Sequence, residues 1–320
     1  MKPVIFMASG QGSQYFQMGA DLYSENEYFH ESINSFDSII ESRFGISIAE
    51  VIYKNKRDTS ETFSDPLLSS LGIYLIEYAL ASTLEKYGVR PAKIIASSMG
   101  IFISSVISKC VDACQALDAI YCLMTLLNKR CEQGRMIVVL ADPKMYYDSA
   151  MLKEKAVLAS RDEGLSFAIS LQLCDLKVVE DYLNDMEVSF HRLPVSRAYH
   201  SHWMDHLKDD FLRVNLNFLS KEPSIPIICC AKADELTTVG MSDLWNSVRR
   251  PLLFSDTVAK VEERMEACYI DIGPSGMMAT NLKYVLPKSS KSEIYTILSQ
   301  QRRASKNLEN VIKNCGRLNY

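Results

Sequence analysis

Residues 92–107, AKIIASSMGIFISSVI, decide how this chain is read. A short apolar run after Pro91 passes through Ala96-Ser97-Ser98-Met99-Gly100 and resumes as a mostly apolar segment that can continue as a helix. Ser98 therefore sits at a strand-to-helix turn. Small residues two before and two after it matter, because a sharp turn leaves no room for bulk there. The result is an exposed hydroxyl at a helix N-terminus, with the Met99 amide free to face a developing oxyanion. The same small-x-Ser-x-Gly string also fits a plain tight turn into a buried helix.

A second stretch bears on that choice. The chain opens with an apolar strand, Val4-Ile5-Phe6-Met7-Ala8, and runs at once into Ser9-Gly10-Gln11-Gly12-Ser13-Gln14. A glycine-rich turn after a first strand supplies backbone N–H groups beside the sheet edge where ligands of open α/β sheets collect. It lacks a phosphate-loop lysine and the dinucleotide spacing, which argues against a nucleotide.

Gly-Gln-Gly-Ser-Gln at 10–14, the Ser98 turn, Ala198-Tyr199-His200-Ser201 and Asp271-Ile272-Gly273-Pro274 stand in the order and spacing of one family. Over residues 4–300 the chain resembles malonyl-CoA:acyl-carrier-protein transacylases and the acyltransferase domains of polyketide synthases, as a divergent freestanding member. The resemblance implies a serine acyl-enzyme at Ser98, a base at His200, and oxyanion donors at Gln11 and Met99. It orients the histidine through the backbone carbonyl of Arg250, before Pro251. It places Gly10, Asp65, Ser97, Ile101, Leu123, Met124 and Tyr199 around the substrate. A coenzyme A or phosphopantetheine thioester is the implied substrate and an acyl-carrier protein the implied partner, with no permanently bound cofactor.

Departures from the family pattern carry information too. The usual Gly-His-Ser-Leu-Gly-Glu is here Ala96-Ser97-Ser98-Met99-Gly100-Ile101, so Ser97 replaces a histidine and Ile101 a carboxylate. Asp65 stands where the family has a glutamine. Leu123 falls at the position of an arginine that pairs with the free carboxylate of a malonyl unit. Since a buried bidentate cation is the economical way to hold such a group, its absence argues against malonyl or methylmalonyl. Arg130 and Arg135 lie nearby and read as a solvated basic cluster. Three functions stay open: an acyltransferase in polyketide or fatty-acid-like biosynthesis, an acyl-carrier-protein thioester hydrolase that clears stalled chains, and an inactive carrier-binding protein.

Composition sets the frame. At 320 residues and 48% hydrophobic content the chain can bury a substantial core. Its 35 basic and 39 acidic residues are interspersed, net charge −4, which does not point to nucleic acid. No signal region precedes the first strand and no run reads as a membrane span, so a cytoplasmic protein, plausibly monomeric, is expected. The nine cysteines are odd in number and lack a paired Cys-x-x-Cys ligand set, as buried thiols in a reducing compartment would. His202 and His206 can share a helix face but have no convincing further ligand, so no metal is expected.

The pattern along the chain predicts an α/β fold: a large α/β-hydrolase-like domain with a parallel sheet, over 1–132 and 196–300, and an inserted subdomain over 133–195. Helical segments span 20–56, with Phe29, Ile33, Phe36, Ile39 and Ile40 inward. A helix starts at Ser64-Asp65-Pro66, and another spans 112–130. Strand 136–141, helix 144–154, strands 156–160 and 167–171, helix 176–184 and strand 188–193 then give βαββαβ, a ferredoxin-like order. Substrate would enter between the two parts, with Ser98 on one wall and His200 arriving as the chain re-enters the large domain. Residues 301–320 form a polar C-terminal tail carrying Arg302 and Arg303, either a terminal helix or a carrier contact.

Overall fold

The computed structural model describes residues 2–54, 57–214, 220–301 and 303–316. Strand β1 (Val4–Ala8) is buried along its length and leads into the glycine-rich turn. Helices α1 (Ala20–Glu25) and α2 (Glu27–Phe44) follow, α2 capped by the Asn26 side chain. Phe29, Ile33, Phe36 and Ile40 of α2 enter the core, while Ile39, expected there, faces solvent. Helix α3 (Pro66–Lys86) starts where Asp65 accepts the Leu68 amide at 2.8 Å, with proline in its first turn. It is long and apolar enough to cross a membrane, against the sequence expectation, yet 78% of its most apolar window is buried inside this fold. A helix apolar on every face belongs in a core when other elements surround it.

Strand β2 (Lys93–Ala96) turns through Ser97, Ser98 and Met99 into α4 (Gly100–Ile107). Helix α5 (Ala113–Arg130) begins at a capping box of Asp112 and Gln115. The chain then builds a second sheet from β3 (Gly134–Val139), β4 (Ala156–Asp162), β5 (Ser166–Gln172) and β6 (Phe190–Arg192). Short helices α6 (Lys144–Asp148) and α7 (Ala150–Lys155) join the first two strands, and α8 (Leu176–Asp185) the last two. Its antiparallel order β4-β5-β3-β6 is the ferredoxin-like arrangement, closed over its own core of Ile137, Phe167, Ile169, Val179 and Leu183.

Returning to the large part, the chain adds α9 (Lys208–Val214), β7 (Ile227–Cys229), β8 (Asp234–Glu235), α10 (Met241–Arg249) and α11 (Phe254–Glu262). It ends with β9 (Cys268–Asp271), α12 (Met277–Val285), β10 (Glu293–Thr296) and α13 (Ala304–Cys315). The six strands order as β10-β9-β1-β2-β7-β8, all parallel except the edge strand β8. The 301–320 stretch contains a helix, α13, whose Ala304, Leu308, Val311 and Cys315 are buried; Arg302 and residues 317–320 lie outside the described residues.

Register does the positioning. Ala8 pairs with Ala96 and Met7 with Asp271, so the turns that follow β1, β2 and β9 emerge side by side at the carboxyl ends of adjacent parallel strands. Ligands of open α/β sheets bind at that end.

Candidate active site

Ser98 holds φ 52°, the left-handed region that a non-glycine residue rarely enters, as a sharp strand-to-helix turn demands. The turn is packed against β1: a Cβ on Gly100 would strike the Ala8 carbonyl oxygen. Across it runs the glycine-rich loop. A Cβ on Gly10 would lie 2.7 Å from Ser98 Cβ, 3.1 Å from Ser98 Oγ and 3.2 Å from the Met99 nitrogen, so only glycine allows the loop this close. Among the described residues the amides of Gln11 and Met99 have no hydrogen-bond acceptor. Met99 directly follows Ser98, and Gln11 lines the same cavity as Ser98. The Gln11 side chain points elsewhere, donating to Pro66 O and Ser69 Oγ, each at 3.2 Å, and to Ser70 Oγ.

His200 arrives on the loop leaving the small sheet, also at positive φ, 56°. Its Nε2 is 2.9 Å from Ser98 Oγ and its Nδ1 is 2.7 Å from the Arg250 carbonyl oxygen. A carbonyl can only accept, so Nδ1 carries the proton and Nε2 is left as the acceptor for the serine hydroxyl. Burial pushes the imidazole pKa down to about 4, partly offset by that carbonyl. The ring is therefore neutral at physiological pH, the form able to take the Ser98 proton. Among the described residues no carboxylate bonds the His200 ring, whose Nδ1 partner is the Arg250 carbonyl. Asp271 instead accepts the Gly273 and Ala279 amides at 2.8 and 2.9 Å, holding the turn after β9.

These groups open into a cavity of about 480 Å³ between the two sheets. Gly10, Gln11, Ser97, Ser98, Tyr199 and His200 line it. Asp65, Ile101, Leu123 and Met124 do not: Asp65 caps α3, while Ile101, Leu123 and Met124 are buried in the main core. The resemblance places these four around the substrate, whereas here they stand outside the cavity lining. Met124 reaches the site only from behind, its sulfur 3.9 Å from the Tyr199 hydroxyl. The walls come from residues the sequence did not single out: Met136 and Val138 on β3, Leu252 before α11 and Phe254 at its start, and Met277, Met278, Asn281 and Tyr284 on α12. The period-two pattern of β3 and the helix following the Asp-Ile-Gly-Pro turn were the available signals.

Among the described residues the lining includes no lysine or arginine. Arg130 pairs with Asp210, Arg135 bonds the Gly134 carbonyl, and Arg197 bonds the Leu127 and Ser196 carbonyls and Asn128. The ionisable acid in the lining is Asp162, whose pKa burial raises. Among the described residues no three His, Cys, Asp or Glu side chains are grouped to hold a metal ion. His206 bonds the Arg130 carbonyl at 3.1 Å.

The comparisons with known proteins cover nearly all of this architecture. A family model described as acyl transferase domain matches residues 5–319. The chain is 32% identical over 310 residues to the polyketide biosynthesis acyltransferase homolog BaeD of Bacillus velezensis, spanning 97% of this chain and 96% of that protein. PksD of Bacillus subtilis, described in the same words, matches with the same identity and coverage. The fold is similar to the acyl transferase domain of SpnD in complex with 2-(pent-4-yn-1-yl)malonyl, TM-score 0.84 at 22% identity, over 96% of this chain and 74% of that one. It is also similar to malonyl CoA-acyl carrier protein transacylase from Clostridium perfringens, TM-score 0.79 at 17% identity, over 97% and 98%. With a family match running from the first strand past the last helix, and two relatives matched end to end, the chain belongs to the acyl transferase domain family, whose members act on acyl thioesters.

Proposed function

We propose that this protein transfers acyl groups that lack a free carboxylate between thioesters, through an ester on Ser98. His200 Nε2 takes the serine proton as Ser98 Oγ attacks the thioester carbonyl carbon. The oxyanion is held by the Gln11 and Met99 amides. Collapse expels the thiol, which takes its proton from His200, and an incoming thiol reverses the sequence. The observation that carries the reading is the hydrogen-bonded series Ser98–His200–Arg250, with the Gln11 and Met99 amides lacking an acceptor among the described residues. It also weighs against an inactive carrier-binding protein, in which nothing maintains such alignment. The donor and acceptor thiols are those of coenzyme A or of a carrier protein's phosphopantetheine arm.

The acyl preference rests on the cavity. A malonyl carboxylate would meet no lysine or arginine among the described lining residues, and one carboxyl group, Asp162. Loss of a charge-assisted bidentate contact is worth roughly 1.5 to 3 kcal/mol. Intact-mass measurement after exposure to acetyl, longer acyl and malonyl thioesters tests both parts. An adduct is expected on wild type and none on Ser98→Ala, with uncharged acyl groups loading at least about tenfold faster than malonyl. An adduct persisting in Ser98→Ala sinks the nucleophile, and malonyl preference sinks the substrate class. Rapid decay of the loaded enzyme to free acid without added thiol would replace transfer by hydrolysis.

A further inference from the structure

One buried acid in the core of α3 has no part in the relay. Glu77 is 1% exposed, on a helix whose surrounding positions Ile73, Tyr74, Ile76 and Leu80 are buried and apolar or aromatic. Among the described residues no lysine or arginine pairs with it, and burial raises its pKa well above the carboxylate range. An acid in such a place costs several kcal/mol against a leucine of similar volume unless its bonds serve something. Those bonds all go to Ser9: Glu77 Oε1 accepts the Ser9 amide at 2.7 Å and the Ser9 hydroxyl at 2.8 Å.

Ser9 is the last residue before the loop that crosses the nucleophile. Its Oγ lies 3.0 Å from Ser13 Oγ, and Ser13 in turn donates its hydroxyl to the Gly10 carbonyl at 2.8 Å, closing the loop around Gly10-Gln11-Gly12. From the other side the turn after β9 presses on the same residue: a Cβ on Gly273 would lie 2.8 Å from Ser9 Cβ. Ser9 is thus clamped between Glu77 and Gly273. The next residue, Gly10, is the one that touches Ser98, and the next amide after it is that of Gln11.

We infer that Glu77 is a positioning residue for the acyl-transfer reaction: through Ser9 it sets the height of the Gly10-Gln11 peptide over Ser98, and with it the aim of one oxyanion donor. This rests on the Ser98 acyl-enzyme reading. Misplacing a donor by about 1 Å costs on the order of 100-fold in rate, because it acts where charge develops in the transition state and little in the ground state. The loss therefore falls on kcat and spares KM.

Ser98 acylation by p-nitrophenyl acetate, which needs neither carrier nor coenzyme A, provides the test. Glu77→Leu should lower kcat roughly 100-fold with KM within about twofold of wild type. Glu77→Gln, whose amide oxygen accepts the same two bonds, should restore the rate to within about threefold. Ser9→Ala, a milder change that keeps the amide bond, should fall between them and serves if Glu77→Leu does not fold. A near-wild-type rate in Glu77→Leu and Ser9→Ala, equal damage in Glu77→Gln and Glu77→Leu, or a loss confined to KM would overturn the inference. Crystal structures of Glu77→Leu and Ser9→Ala separate this from failure of the acyl-enzyme reading: a displaced Gly10-Gln11 peptide supports the inference even if wild type is not acylated, and an undisplaced one in both refutes it.

Discussion

His200 shows how much a single buried side chain controls. Its folded-state pKa is lowered to about 4 from 6.5, so between those values the unfolded chain binds a proton that the folded chain refuses. Its contribution to stability is complete above pH 6.5 and is lost as pH falls through that window, by on the order of 3 kcal/mol at pH 4. Urea unfolding from pH 7 down to pH 4 should show a steeper decline in wild type than in His200→Ala, and parallel declines would contradict the assigned burial. The rate of Ser98 acylation should hold down to about pH 5 and fall near 4. An acid limb centred on 6.5 would mean an imidazole in contact with water.

At the scale of elements, the expected substrate residues that stand outside the cavity lining give sharp expectations. Asp65 caps α3 from outside the cavity, so Asp65→Ala should cost about 1 kcal/mol of stability and leave acyl preference unchanged. Leu123→Arg places a cation in the closed core and not beside substrate, which predicts loss of several kcal/mol of stability without gain of malonyl loading. Thermal melts paired with adduct assays decide both. The helices and strands were legible because their periods and caps are local: Asp65-Pro66 starts α3, and the βαββαβ order follows from alternation and turn residues alone. Which apolar face meets the cavity was not legible. Spacing along α5 marks Met124 as inward and the family register places Leu123 beside substrate, yet both lie in the core here, and cavity walls come from β3 and α12, distant in sequence. Glu77 was invisible for a related reason, since a lone acid in an apolar run reads as a surface residue until Ser9 is seen beside it.

One seam between the two parts of the fold runs through Leu252. Leu252 donates its amide to the Ala159 carbonyl at 2.8 Å and accepts the Arg161 amide at 3.2 Å, while Asp162 accepts the Ser255 amide at 3.1 Å near the start of α11. The Arg161–Asp256 ion pair at 3.0 Å is partly exposed and adds less than about 1 kcal/mol, so Arg161→Ala should be nearly silent. Leu252→Pro removes the amide that bonds the Ala159 carbonyl and should act quite differently. Hydrogen exchange should quicken across β4 with β1 and β9 still protected, and Ser98 acylation should fall with it. Uniform loosening of both sheets would show that the seam is not a separate unit.

The carbonyl that aims His200 belongs to Arg250, two residues before the amide that ties down β4. One strip of backbone thus sets both the gape of the mould and the readiness of the base. A cargo too bulky for the cavity cannot be admitted by prying the sheets apart, because the same movement swings the imidazole off the serine. Descendants of this chain that come to carry larger acyl groups must do so by whittling side chains such as Met136, Phe254 or Met277, with the strap itself left untouched.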